Sequence, residues 1–417
     1  MEKQLTSAPH GHILTNTAVW SPDGKWIVYD VRSDPHGTLF DGDRIEQVNV
    51  ETGEIQVLYQ AQHNAKCGVV TYSPTEPKVV FILGPENPTP DWQYAPSRRR
   101  GVIVDASRPG VATNLDARDL VAPHTAGALR GGTHVHVFSP DGRWVSFTYN
   151  DDLAGIDQRN VGVSMPGRAV TVSKSHPRNH DGHYFSVLVT QTLANPRPGS
   201  DEIRRAFEDA WVGIDGYARS DGTYQKRAIA FQGEVVTPHG QSISEVFLVD
   251  LPEDLTVAGA APLQGTTIHL PAPPRGVTQR RLTFTESRKY PGISGPRHWL
   301  RSSPDGTRIA FLMNDDAGIV QLWTISPNGG DPFPLTHNPW PIASAFTWSL
   351  DGRSIAHVMD ESIFLTDATS GAGRRVTLKL PTGPAPRPEA CVFSPDGRSI
   401  AYIRNVGGFN QVFVAMS

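Results

Sequence analysis

Thr133 to Asp152 reads THVHVFSPDGRWVSFTYNDD, two β-rich apolar runs on either side of Ser-Pro-Asp-Gly. Proline presets φ for a turn and glycine accepts a positive φ, so the stretch predicts a β-hairpin. The hairpin recurs as NTAVWSPDGKWIVYDV (Asn16 to Val31), RHWLRSSPDGTRIAFLMNDD (Arg297 to Asp316), SAFTWSLDGRSIAHVMD (Ser344 to Asp360) and EACVFSPDGRSIAYIR (Glu389 to Arg404). Weaker copies lie at Cys67 to Leu83, Ala169 to Thr192 and Ala228 to Leu251. The spacing runs from 45 residues (Ser349 to Ser394) to 66 (Ser73 to Ser139), which suits repeated sheets arranged as blades. The expectation is an all-β chain, one β-propeller over residues 1–417, with seven blades and eight as the alternative.

Outward from the hairpins, a second element repeats: RRLTF from Arg280, FPLTH from Phe333, RRVTL from Arg374 and KQLTS from Lys3. It marks the outer strand of a blade. The copy at residues 2–7 has no blade of its own, so it is expected to pair with the C-terminal blade, residues 389–415. That pairing would close the ring and cover two sheet edges that otherwise invite aggregation. One segment departs from the β pattern. In PGSDEIRRAFEDAWVG, Ser200 can cap a helix, and Ile203, Ala206, Phe207, Ala210 and Trp211 fall at helical spacing. A helical insertion over 200–211 is predicted.

Composition narrows the setting. With 39 Gly and 35 Pro in 417 residues the chain is rich in turns, and a net charge of -4 offers no general attraction to nucleic acid or an anionic membrane. Cys67 and Cys391 are too few for a disulfide framework. The first fifteen residues lack the basic and apolar regions of a signal peptide, and no apolar run is long enough to span a bilayer. A soluble cytoplasmic protein with no nucleic-acid or membrane partner is expected. There is no Gly-x-Ser-x-Gly elbow, no phosphate-cradling glycine loop and no dinucleotide fingerprint, so no nucleotide cofactor is expected.

The SPDG hairpins and RLT strands resemble those of TolB-type propellers over nearly the whole chain. HILTNTAVWSPDGKWIVYDVR, RRGVIV, GALRGGTHVHVFSPDGRWVSFTYND, GSDEI, QRRLTF and FLMNDDAGIVQLW look like the bacterial YidR-like family, whose function is unassigned. A looser similarity is to oligogalacturonate lyases, propellers that bind a divalent metal and cleave uronate oligosaccharides by β-elimination. Their Thr-His-x-His stretch resembles Thr133-His134-Val135-His136. The lyase histidines sit one residue further from the turn, and the glutamine preceding their motif is here Arg130 or Gly131; one residue of shift reverses the face of a strand.

Because fold does not supply function, the residues must carry it. Five places before the serine of each turn stand Asn16, Gly68, His134, His298, Ser344 and Glu389, equivalent points on the innermost strands. They are expected to converge at one mouth of the channel. His136 shares the face of His134 by strand parity, and His12 or His176 could join from neighbouring blades. His134, His136, His298, Glu389, Asn16 and His12 are therefore candidate ligands for a divalent ion, Mn²⁺, Zn²⁺ or Ca²⁺. Arg130, in the loop entering His134, could hold a carboxylate bidentately. The run Arg98 to Arg100 is expected on a solvated face, and Arg301, of opposite parity to His298, between blades. The turn aspartates Asp23, Asp141, Asp305 and Asp396 are read as turn residues. Two functions follow. One is a metal-assisted lyase acting on an acidic oligosaccharide, with His134, His136, Arg130 and His176 as the reacting groups. The other is a non-catalytic propeller binding a protein or glycan on its rim.

Overall fold

The computed structural model describes residues 2–417 except Pro35, His36, Ala154, Ile156, Arg297, His298 and Thr382, and except the side chain of Ala390. His298, a candidate metal ligand, thus lies outside the described residues. The described chain is all-β; its one named helical element is the 3₁₀ turn Pro96–Arg98. No helix in it is long and apolar enough to cross a membrane.

Each Ser-Pro-Asp-Gly turn is tied in the same way. Asp141 Oδ1 accepts from the Ser139 hydroxyl at 2.5 Å and from the Arg143 N–H at 3.1 Å, while Ser139 Oγ accepts from the Trp144 N–H at 2.9 Å. Gly142 has φ +70°, which a β-carbon would disfavour. The turns at Ser21, Ser303, Ser349 and Ser394 repeat the serine–aspartate bond. These aspartates hold turns, as the sequence implies.

From the turns grow antiparallel sheets in chain order. The first contains Gly11–Ile13, Trp26–Arg32, Arg44–Asn49 and Ile55–Gln60; the second, Cys67–Tyr72, Lys78–Leu83, Arg100–Asp105 and Ala112–Asn114. The third has eight strands in two halves, joined by one parallel pair, Arg159 with Arg205. Gly132–Phe138, Val145–Asn150, Arg159–Met165 and Phe185–Leu188 form the first half; Ile203–Trp211, Arg227–Val236, Ser242–Leu251 and Thr278–Arg281 form the second. The fourth sheet runs from Arg301–Ser302 to Phe333–Pro334 and the fifth from Thr347–Trp348 to Gly373–Arg375. The last holds Pro386–Phe393, Ser399–Val406, Phe409–Met416 and the N-terminal strand Glu2–Gln4. Strands of successive sheets touch in this order, and Gly11–Ile13 of the first touches Phe409–Met416 of the last.

The helix expected over 200–211 does not form, because Ile203–Trp211 is a strand paired with Arg227–Val236. The physical reason is two β-bulges. Ile203 pairs with Val235 but Ala206 with Gly233, and Phe207 pairs with Gln232 but Ala210 with Ala230. Each extra residue advances the strand's phase by one, so the buried apolar side chains fall at 203, 206 and 210, a spacing that mimics a helix.

The N-terminal strand pairs Glu2 with Ala415 and Gln4 with Phe413, and Leu5 N–H continues to the Val412 carbonyl at 2.8 Å. Leu5, Trp20 and Tyr29 share one apolar cluster with Val392, Ile403 and Val412, which joins the first and last sheets. Removing residues 1–8 is therefore expected to lower the melting temperature, and Leu5→Ala alone to cost about 2 kcal/mol in chemical denaturation. A second expectation concerns acid. His136 and His357 are fully buried, and burial lowers them to about 3 and about 4. The unfolded chain takes up protons below about pH 6.5 while these two rings do not, so stability is lost as pH falls from there. Replacing His357 by Gln should flatten that slope in denaturation curves between pH 6.5 and 4.5 by up to about 1.4 kcal/mol per pH unit.

Candidate functional site

The first strands of three successive four-stranded units carry a bulge at the same place. Gly68 pairs with Ile82 but Thr71 with Val80, and His134 pairs with Thr148 but Val137 with Ser146; the bulge between Phe207 and Ala210 is the third. Each puts a non-glycine residue in the left-handed region: Val69 at φ +58°, Val135 at +54° and Glu208 at +55°. For a β-branched valine this costs of the order of 1–3 kcal/mol, a strain that concentrates at functional sites. Val69 and Val135 both line a cavity of about 140 Å³ together with Asn16, Asp30, Arg32, Trp299 and Glu389. Asn16 and Glu389 thus converge as the turn spacing implies, whereas the bulge presents Val135 in place of His134.

The cavity wall is built of paired charges. Asp30, fully buried, accepts from Arg32 Nε at 2.6 Å and from the Val69 N–H at 3.0 Å. Burial raises its carboxyl, against the pull of the Arg32 guanidinium. Glu389 lies 3.0 Å from Arg387 Nη2. Asn16 Oδ1 accepts from Arg301 Nη2 at 2.5 Å. Arg301 therefore reaches from the fourth sheet to the first, rather than staying between blades. It is lowered to about 10 by burial, with Asp209 and Glu208 acting against this, and Asp209 is raised to about 6 by burial, opposed by the Ser146 hydroxyl and Arg301. Beyond Arg301 opens an apolar cavity of about 410 Å³, lined by the turn prolines Pro22, Pro74, Pro140, Pro304 and Pro395 and by Trp20, Trp211 and Trp348.

His134 is buried and held well below an ordinary imidazole, first by burial, then by Arg99, Arg159 and His136. Arg99 donates to the Tyr94 hydroxyl at 2.8 Å. Arg159 is lowered by burial and by the like charges of Arg205 and Arg99, and its Nε is buried without a hydrogen-bond partner. Among the described residues neither Arg99 nor Arg159 forms an ion pair. A buried imidazole thus feels the positive charge of both Arg99 and Arg159, with Glu208 and Asp157 partly offsetting the latter, a field suited to a carboxylate.

The other expected groups are engaged elsewhere. His136 turns towards the second sheet, where its Nε2 lies 2.9 Å from Thr133 Oγ1, and Thr133 donates to Asp116 Oδ1 at 3.1 Å. Arg130 Nε donates to Asp151 at 2.7 Å and its Nη atoms to the Thr266 and His269 carbonyls, so its guanidinium is occupied. His176 accepts from the Arg178 N–H at 3.1 Å beside Trp92. His12 sits between the first and last sheets, 2.7 Å from the Asn410 carbonyl. Among the described residues no three metal-ligating side chains gather at His134, and a cation there would meet Arg99 and Arg159. Of the expected ligands, His134, His136 and His12 thus lie apart among the described residues, while His298 lies outside them.

Arg99, Arg159 and Asp209 escaped the sequence reading. Arg99 belongs to a run expected on a solvated face, yet it is half-buried. Asp209 lay on the misread helix; the aromatic at Trp211 followed by a short turn, matching Tyr72-Ser73 and Phe138-Ser139, is the signal that could have placed it.

Residues 66–180 match a protein family of unknown function, DUF3748. Among solved structures, an oligogalacturonate lyase in complex with manganese superposes with a TM-score of 0.55 at 12% identity, covering 100% of this chain and 92% of that one. A putative TolB from Agrobacterium tumefaciens gives a TM-score of 0.43 at 14% identity over 90% and 98%. The lyase likeness bears on the fold, not the chemistry. Protein YidR of Escherichia coli strain K12 is 50% identical over 410 residues, 96% of this chain and 94% of that protein. At that identity over almost its full length, the chain belongs to the YidR family.

Proposed function

We propose that the four-stranded units form seven blades of a single propeller, and that the Arg99, His134 and Arg159 side of the bulged third sheet binds an acidic saccharide and cleaves it by β-elimination. The contact of the first sheet with the last supports the ring, and the free buried thiols Cys67 and Cys391 suit a reducing cytoplasm. The observation that carries the site is that His134 is lowered by the charges of both Arg99 and Arg159, neither of which forms an ion pair among the described residues.

In this reading the uronate carboxylate binds the two guanidiniums, which stabilise the charge that develops as the C5 proton leaves. Neutral His134 takes that proton; the C–H electron pair forms the C4–C5 double bond, and the C4 oxygen departs and is protonated by water. An arriving carboxylate also offsets the two positive charges that weaken the imidazole, so binding raises its basicity. No step is assigned to a metal at this site. The rim-binding alternative has its own support in the apolar mouth of indoles and turn prolines on the far side of Arg301, a surface suited to a peptide.

Incubation with uronate oligosaccharides, with and without Mn²⁺, should produce absorbance near the roughly 235 nm of an unsaturated uronate, as proton abstraction requires. Arg99→Gln with Arg159→Gln should weaken binding at least tenfold by calorimetry, about 1.4 kcal/mol or more, while His134→Ala should abolish turnover and keep binding. Binding without any absorbance in the wild type would leave the rim-binding reading in place of the lyase. Since His134 is depressed, kcat/KM should stay level as pH falls through 6.5 and decline only at lower pH.

A further inference from the structure

A second group of titratable side chains lies away from the third sheet, where the first and last sheets meet. His12, on the strand Gly11–Ile13, is fully buried. Its Nδ1 stands 2.7 Å from the Asn410 carbonyl, and since a carbonyl only accepts, Nδ1 carries the proton. That leaves the Nε2 lone pair buried with no hydrogen-bond partner. The ring of His10 stacks on His12 at 4.6 Å between centroids, and its Nε2 is likewise buried and unpartnered, 3.7 Å from Glu46 Oε2. Glu46 is itself buried and oriented from behind, by the Tyr29 hydroxyl at 2.9 Å from Oε2 and by Arg44 Nε at 2.5 Å from Oε1. The three ligand atoms lie within 4.8 Å of one another.

We propose that His10 Nε2, His12 Nε2 and Glu46 form a zinc-type divalent metal site that clasps the N-terminal segment and the first sheet to the last. A stranded lone pair on His12 Nε2, beside a His10 Nε2 that meets only Glu46 at 3.7 Å, is costly unless something accepts it. A carbonyl on the far nitrogen of a ligating histidine and hydrogen bonds behind a ligating carboxylate are the usual supports of such a site. Two imidazoles and one carboxylate suit zinc better than calcium, and tetrahedral zinc at about 2.1 Å leaves a fourth position for water. The clasp follows from where the ligands come from. His10 follows Ala8, whose carbonyl is held by Gln411; Asn410 anchors His12 to the last sheet; Glu46 belongs to the first. This inference goes beyond the saccharide reading and shares no residue with it.

The test is titration of the full-length, chelator-treated protein with Zn²⁺, followed by calorimetry and thermal melting. One equivalent should bind and raise the melting temperature in a concentration-dependent way. His10→Ala and Glu46→Gln should each lower affinity by more than about tenfold and abolish the thermal shift, with Tyr29→Phe losing roughly 10-fold or more through Glu46. His134→Ala should bind Zn²⁺ as the wild type does. His10 is partly exposed, so its variant tests the site even where substitution of buried His12 prevents folding. Absence of a stoichiometric Zn²⁺ site in the wild type, or unchanged binding in His10→Ala and Glu46→Gln, would overturn the proposal.

Discussion

The bulge at Val135 sets which side chains of its strand reach the cavity beside Asp30 and Glu389. A regular strand would place His134 and His136 on one face. With Val135 in the left-handed region, the valine lines the cavity, His136 turns to Thr133 and Asp116, and His134 comes to rest against Arg99 and Arg159. The same bulge at Val69 lets the Val69 N–H reach Asp30, and at Glu208 it sets Asp209 near Arg301. One backbone device, repeated on three strands, thus sets an apolar hairpin pattern against buried charged groups such as Asp30 and Arg301.

The second constraint is the edge of the sheet at each end of the chain. Glu2–Gln4 satisfies the free edge of Phe409–Met416, and the apolar cluster around Leu5 and Trp20 makes the first and last sheets one packing unit. The Trp20 indole N–H donates to the Val392 carbonyl at 3.0 Å, a polar stitch inside that cluster. The histidine pair at residues 10 and 12 lies on the same seam, so apolar and hydrogen-bonding groups gather where the first and last sheets meet.

What could be read in the residues alone depended on period. The serine–aspartate turns and the outer strands at Arg280, Phe333 and Arg374 repeat locally, and the structure forms strands at all three. Leu5 and Thr6 were legible for the same reason. Ile203–Trp211 was not, because two bulges disguise a strand as a helix. Arg301 was misplaced because parity holds only within a regular strand, and its bond to Asn16 joins residues 285 apart. His10 and Glu46 carry no periodic signal; only the pairing of Gly11–Ile13 with Trp26–Arg32, and of that strand with Arg44–Asn49, brings them together.

The central claim is that Arg99 and Arg159 hold a carboxylate against His134. It is tested most directly by an NMR pH titration of the His134 ring in the free protein and with saturating galacturonate oligosaccharide. The account predicts a pKa well below 6.5 in the free protein and an upward shift with the saccharide, as its carboxylate offsets the two guanidinium charges. A His134 pKa unmoved by the saccharide would contradict it.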